Sequence, residues 1–367
     1  MPESARPRLT PAVADVRRAV RASLFPFSGS GGVEVADVES DAASQPTSIT
    51  PPTQIPENGE PLVLVALSGG PDSLALAAAV AFEAPRVGVS AGAVIVDHQL
   101  QSGSDVVAER AVEQARALGL DPVRVVRVAV ATDGGPEAAA RAARYAALDL
   151  TAAETGAVAV LLGHTLDDQA ETVLLGLARG SGSASLQGMA PVAGLYRRPL
   201  LGIRRATTVQ ACIDAGLEPW ADPHNDDPAY TRVRVRKNVL PGLEAELGPG
   251  VAEALARTAE QLREDSAALD AFADEVAEDL AEHVEAGLAL PVAALAANPP
   301  ALRQRLIRLV VASEFGVSLS RAHTLEIARL VTDWHGQGGI DVPGVRVVRS
   351  GGMIEFRARE TGADGHG

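Results

Sequence analysis

The chain has 367 residues and a formal net charge of −15, room enough for one large domain and a smaller one. Its acid excess argues against broad, non-specific binding to nucleic acid, which needs a basic footprint. The single cysteine, Cys212, excludes an intrachain disulfide framework, a CxxC cluster and a zinc ribbon. No apolar run approaches the roughly 18–20 residues of a membrane span, and the N-terminus lacks the apolar region of a secretory signal. A cytoplasmic protein with no membrane partner is expected.

Residues 12–24, "AVADVRRAVRASL", predict a short amphipathic helix. The Ser-, Gly-, Pro- and acid-rich stretch over about 28–60 has the period of neither regular element and is expected to be a disordered insertion. From residue 61 apolar runs alternate with Ala-rich helical stretches. "LVLVAL", "AGAVIVDH", "VRVVRVAV" and "AVAVLLGH" read as strands, each followed by a helix. Apolar strands separated by helices indicate an α/β fold, a doubly wound parallel sheet covered on both faces. This domain is expected over 61–247.

After about residue 247 the texture changes. Leu255, Leu262, Leu269 and Val276 recur at sevenfold spacing and predict a long helix, packed as a helical hairpin rather than a free coiled coil. Helices at about 301–313 and 320–334 follow, then short strands in "GGIDVPGVRVVRSGGMIEF". Residues 248–360 thus read as a helical linker with a small α+β domain, and 361–367 as a disordered tail. There is no internal repeat.

"LVLVALSGGPDSLALAAAV" carries a Gly turn between a buried strand and a helix. Such a turn aims backbone N–H groups and the positive helix end at one spot, an anion site. A Walker A loop needs Gly-Lys-Ser/Thr, and the only lysine is Lys237; the GxGxxG dinucleotide spacing is absent too. What remains is SGGxDS, which resembles the loop of ATP pyrophosphatases. Gly69 and Gly70 allow close backbone approach to phosphates, and Pro71 suits the first helical turn. Ser68 and Ser73 offer hydroxyls, and Asp72 suits Mg²⁺ rather than phosphate.

In "GHTLDDQAET", Asp168 and Glu171 share a helix face beside Asp167, with His164 at the preceding strand end. Plain helix capping is one reading. The other is a site for a metal or an ammonium group, since ligands bind at strand C-termini in open parallel sheets. Glu137, Arg141, Arg144 and Tyr145 lie along one side of a helix, as surface decoration or as a substrate contact. Residues 197–237 carry Arg197, Arg198, Arg204, Arg205, Arg232, Arg234, Arg236 and Lys237 against five acids, a local basic face on an acidic body. Arg232, Arg234 and Arg236 alternate as in an extended segment and are expected on one side of it. Lys237 reads as a surface residue.

With "SGGPDSLAL", "VDHQLQSGSD", "EAAARAARY", "LLGHTLDDQAET", "RGSGSASLQGM", "RPLL" and "DPHNDDPAYTRVRVRKNVLP" in order, the chain resembles the short form of the tRNA(Ile)-lysidine synthases. The resemblance covers about 12–356 apart from the insertion, and departs at Val233, where the family usually carries Asn. It implies a PP-loop, adenine nucleotide α-hydrolase-like domain that joins free L-lysine to the wobble cytidine of a CAU-anticodon tRNA. The base oxygen attacks the α phosphate of ATP and releases pyrophosphate; the lysine ε-amine then displaces AMP. ATP binding would fall to Ser68, Gly69, Gly70, Pro71, Asp72, Ser73, Asp97, His98 and His164, with Mg²⁺ on Asp72. Lysine would bind Asp168 and Glu171, and Asp72, Asp168, Glu171 and Arg141 would form the catalytic set. The tRNA would meet Arg179, Arg198, Arg232, Arg234, Arg236 and Arg321; a homodimer is compatible with this reading. A sulfur-transferring relative would need at least two cysteines, and an amidating relative an ammonia source. A non-catalytic ATP-binding regulator would have no use for the acidic cluster.

Overall fold

The computed structural model describes residues 9–28, 59–99, 103–129, 136–180, 182–222, 226–280, 282–284 and 287–359. The expected insertion and tail fall almost wholly outside them. Two compact units divide the chain, 1–261 and 262–367.

The first unit opens with α1 (Pro11–Leu24), capped by the Thr10 hydroxyl, and its buried Val16, Val20 and Leu24 recur at fourfold spacing. Then come β1 (Leu62–Ala66), α2 (Pro71–Glu83), β2 (Ser90–Asp97), α3 (Ser104–Ala117), β3 (Val123–Arg127), α4 (Pro136–Thr155), β4 (Ala159–Leu161) and α5 (Leu166–Ala178). The short α6 (Ser183–Leu186) precedes β5 (Val192–Ala193), β6 (Tyr196–Arg197) and α7 (Arg205–Asp214). The sheet order is β3-β2-β1-β4-β6-β5, parallel except where β5 meets β6. Strands β1 and β4 are apolar and buried, as expected. Edge strand β3 is not: two of its three valines are half-buried and Val125 is exposed.

Chain order reverses between β1 and β4, and this crevice at the strands' C-terminal ends is where open α/β sheets bind ligands. One core packs α1, α2, α3 and α7 on one sheet face around Leu74, Leu76, Val80, Ala111 and Cys212. The other face is covered by α4 through Tyr145, Leu148 and Ala152.

The segment closes with α8 (Thr231–Arg234), a π-helical turn over Val235–Val239, α9 (Leu240–Leu247) and the start of α10 (Val251–Leu280). The expected hairpin is corrected here: α10 is one uninterrupted helix of 30 residues. Its heptad leucines are only half-buried, whereas Ala252, Ala259 and Ala273 are nearly inaccessible, so small residues set its contacts.

The second unit holds the rest of α10, then β7 (Glu282–Val284), β8 (Gly287–Pro291), α11 (Val292–Ala297), α12 (Pro300–Phe315), α13 (Arg321–Thr332), β9 (Ile340–Val342), β10 (Val345–Ser350) and β11 (Met353–Ala358). Its sheet is antiparallel, order β7-β8-β11-β10-β9. Leu306, Ile307, Val310, Ile327, Leu330, Val347 and Phe356 fill its core. Among the described residues no helix is long and apolar enough to cross a membrane.

One ion pair fastens α1 to α2 across the long connection. Glu83 is fully buried and accepts from Arg21 Nε at 2.7 Å and NH2 at 3.1 Å. The Arg21 side chain is 61% exposed, but removing it leaves the buried Glu83 charge without its counter-ion, which is costlier than replacing both by apolar groups. Arg21→Met is therefore expected to lower the thermal midpoint, and adding Glu83→Met to recover most of the loss. Equal midpoints for wild type and Arg21→Met would show that the pair contributes nothing.

Candidate active site

The glycine turn lies between β1 and α2. Gly69 has φ of +82°, a left-handed conformation that L side chains rarely adopt. Its carbonyl accepts from Trp220 N at 2.9 Å. The buried Ser73 hydroxyl accepts from Ser68 N at 3.1 Å, donates to Gly70 O at 3.0 Å and lies 3.1 Å from Ser68 Oγ. Ser73 thus locks the loop, and the exposed Ser68 is the hydroxyl left facing outward. Gly70 precedes Pro71 as N-cap with no side-chain cap, so the first turn of α2 keeps backbone N–H groups free for an anion.

The second motif follows β4. Thr165 caps α5 reciprocally with Asp168: its hydroxyl accepts from Asp168 N at 3.4 Å, and Asp168 Oδ2 accepts from Thr165 N at 2.8 Å. A Cβ on Gly163 would lie 3.0 Å from Ser73 N, so the turn before α5 packs on the glycine loop. The two motifs form one site.

An arginine that had no assigned role joins them. Arg205, first residue of α7, reaches Asp72 Oδ2 from Nε at 3.3 Å, Asp168 Oδ1 from NH2 at 2.6 Å and Glu171 Oε1 from NH1 at 3.4 Å. Its backbone N–H donates to Asp167 Oδ2 at 2.7 Å. The Thr208 hydroxyl, one turn on, donates to Asp72 Oδ1. Neither residue was identified from the motifs. The available signal was physical: buried acids need counter-charges, and "RRPLLGIRR" supplied them.

The expected extended run at 232–236 is corrected. These residues are helical and then π-helical, so Arg232 and Arg236 face inward while Arg234 points away. Arg236 Nε lies 2.7 Å from Glu171 Oε1, and its NH2 3.1 Å from Oε2. Arg232 Nε is 3.4 Å from Glu171 Oε2, and its NH2 donates to Thr172 Oγ1 at 2.7 Å. Exposed Arg234 donates to Pro228 O and Ala229 O. The cause is Glu171, wholly buried, whose charge draws two guanidiniums set one turn apart. Val233 is buried in the same turn.

The two acids nearest Arg205 titrate in opposite directions. Burial raises the Asp72 carboxyl above its ordinary value despite the Thr208 hydrogen bond and Arg205. Burial acts on Asp168 likewise, but Arg205 and the Thr165 N–H outweigh it and hold Asp168 below the usual range. His164 is pushed down to about 3, chiefly by burial, so its ring is neutral near pH 7.

The remaining candidates scatter. Asp97 is buried at the end of β2, accepts from Gln99 N at 3.0 Å and lies 3.9 Å from Arg127; His98 follows it. Arg141, on α4, is exposed and donates to the Tyr145 hydroxyl at 3.2 Å. Arg198 is only 4% exposed, so it offers no surface charge. Arg179 and Arg321 are exposed, at the C-cap of α5 and the start of α13. Lys237 is exposed and pairs with Asp226. Among the described residues no three potential ligands gather in a metal-binding cluster.

A doubly wound sheet whose glycine loop and acidic motif flank the switch point is a PP-loop ATP-binding domain, and residues 44–243 match the PP-loop domain family. Residues 290–354 match the TilS substrate binding domain. The chain is 68% identical over 296 residues to a tRNA(Ile)-lysidine synthase of Leifsonia xyli subsp. xyli, covering 80% of this chain and 89% of that protein. It is 56% identical over 308 residues to that of Streptomyces coelicolor, covering 81% and 85%. The chain belongs to the tRNA(Ile)-lysidine synthase family. Among solved structures, the U34-tRNA thiolase NcsA of Methanococcus maripaludis, with its 4Fe-4S cluster, is similar in fold. Its TM-score is 0.51 at 19% identity, over 69% of this chain and 80% of that one.

Arg205 gives the site a pH signature. Asp168 is depressed in the folded state, so its contribution to stability is present above about pH 4 and lost as pH falls through the lowered value. Arg205→Met raises that value, and the acid-unfolding midpoint, followed by circular dichroism, should move to higher pH. An unmoved midpoint would contradict the bridging role.

Proposed function

We infer that the chain ligates free L-lysine to the wobble cytidine of a CAU-anticodon tRNA(Ile), consuming ATP and releasing pyrophosphate and AMP. One observation carries the reading: the ATP loop shares its crevice with an ion-paired lattice in which, among the described residues, five carboxylates meet four guanidiniums. Among the described residues, Asp72, Asp167, Asp168 and Glu171, with the more exposed Glu253, are ion-paired to Arg204, Arg205, Arg232 and Arg236. With His164 neutral, the lattice has room for one more cation, and the lysine ε-ammonium fits that deficit.

The first-turn N–H groups of α2 and the Gly69–Gly70 backbone would take the ATP phosphates. Asp97 and His98, on the strand next to β1, would lie toward the nucleoside. Asp72, at the loop's helical end, is the residue to hold Mg²⁺, which commonly binds through one carboxylate and substrate phosphates. The Asp72 oxygens are held by the Thr208 hydroxyl and by Arg205, its only ion-pair partner among the described residues, so Mg²⁺ would take the place of one of these contacts. Bound there, the ion would neutralise phosphate charge.

The amine step sets the electrostatic problem. At pH 7 only about one free lysine side chain in 2,500 is neutral, roughly 4.6 kcal/mol against attack. Asp168 and Glu171 together would orient the ammonium and take its proton. Arg141 would meet developing phosphate charge. On the RNA side Arg179, Arg234 and Arg321 are the outward charges, while Arg232 and Arg236 act through Glu171.

Incubation with ATP, labelled lysine and CAU-anticodon tRNA should place label in the RNA with one pyrophosphate per lysine. Absence of label with intact ATP binding would refute the ligation. Glu171→Gln should raise the lysine KM by about tenfold or more, while tRNA-dependent pyrophosphate release persists. Unchanged lysine kinetics in that variant would remove the acid pair from the amine step.

A further inference from the structure

The acids of α5 share their turn with a residue that the proposed mechanism does not use. Gln169 lies between Asp168 and Glu171 and is only 2% exposed. Its Nε2 donates to Met189 O at 2.9 Å, and its Oε1 accepts from Met189 N at 2.7 Å. One side-chain amide thus satisfies both polar groups of a single backbone residue, 20 positions further on. Only Gln and Asn carry a donor and an acceptor in this arrangement, and Asn is a methylene shorter. The fit is close on the loop side too. Gly188 has φ of +62°, and a Cβ there would lie 2.6 Å from Gln169 Oε1.

The strip held in this way runs back along α5. It leaves the helix at Arg179, the exposed C-cap, through Gly180 and Gly182, both left-handed. Gly182, Ser183 and Ala184 are exposed. A Cβ on Gly176 would lie 2.6 Å from Ser185 O, so the short α6 packs directly on the later turns of α5. Met189 then reaches the turn where the acids stand. Past it, Arg198 donates from NH1 to Ala190 O and from its backbone N to Pro191 O, each at 2.8 Å. Apolar packing alone would hold such a strip, whereas a buried amide is costly whenever either of its bonds opens. The directional pair at Gln169 fixes the register of the strip against the acids.

We propose that Gln169 is a positioning residue that couples RNA contact on residues 182–190 to the lysine-binding acids. The identity of the two ligands rests on the ligation reading above. RNA seated on the strip would hold Met189 and, through the amide, the turn of α5 that carries Asp168 and Glu171. Lysine would then meet acids already ordered, and its binding would require less ordering of the protein. Such coupling is reciprocal: lysine must tighten RNA binding by the same factor.

Calorimetry on the full chain measures the lysine Kd with and without a saturating CAU anticodon stem–loop. In wild type the RNA should lower the lysine Kd by about fivefold or more, and saturating lysine should lower the stem–loop Kd equally. Gln169→Leu should bring both ratios close to one, with the lysine Kd in the absence of RNA little changed. A merely structural role would shift the lysine Kd alike with and without RNA and keep the ratio. Gln169→Glu retains the acceptor for Met189 N–H but loses the donor, and should give an intermediate ratio. Should Gln169→Leu not fold, Gly188→Ala opens the latch from the loop side and should flatten the ratio in the same way. A ratio of one in wild type, or the wild-type ratio kept in folded variants, overturns the coupling while lysine binding upholds the ligation reading. Wild type that binds no lysine even with RNA present would sink that reading, and the coupling with it.

Discussion

The active-site crevice depends on the Arg205 guanidinium. It touches carboxylates from the start of α2 and from the first two turns of α5, and its own backbone N–H holds Asp167. Two like charges about 4 Å apart repel by about 4 kcal/mol at an effective dielectric constant near 20. Without a shared cation, the helices carrying Asp72 and Asp168 could not bring their acids together ionised. The opposite shifts of those two carboxyls have different causes: burial raises Asp72 despite Arg205, whereas Arg205 and the Thr165 N–H outweigh burial at Asp168.

What the sequence made legible was local. A strand, two glycines, Pro71 and an apolar helix are contiguous, so the phosphate loop could be read from its own residues. The capping of α5 by Thr165 and Asp168 is equally local. Arg205 and Thr208 lie more than 130 residues from Asp72, and no periodicity announces which arginine will answer which acid. The alternation of Arg and Val over 232–236 misleads for a related reason. Period two suits a strand, but Arg232 and Arg236 are also one helical turn apart, and the buried charge of Glu171 decides between the two. In the second unit, the hydrophobic pattern of α10 runs on into residues that fold as β7 and β8. A Cβ at Gly287, φ +153°, would meet Phe356 O at 2.0 Å, so close strand pairing, invisible in the pattern, marks the break.

The basic stretch at 197–237 changes meaning once folded. Read as a line of charge on an acidic chain, it suggested an RNA-facing surface. In the structure Arg204, Arg205, Arg232 and Arg236 neutralise the protein's own acids, and Arg198 is buried. Arg197, Arg234 and Lys237 remain toward solvent to differing degrees, with Lys237 already paired. Positive charge in a sequence measures an RNA footprint only after the internal counter-ions have been subtracted.

That subtraction leaves a crevice with two electrical halves. On the α5 side, carboxylates outnumber guanidiniums; on the α4 side, guanidiniums stand with no acid among the described residues. His164, held neutral by burial, feels both: Asp168 raises its proton affinity, and Arg144, Arg198 and Arg141 lower it. A reaction that takes both a polyphosphate and an ammonium group as substrates is served by both fields.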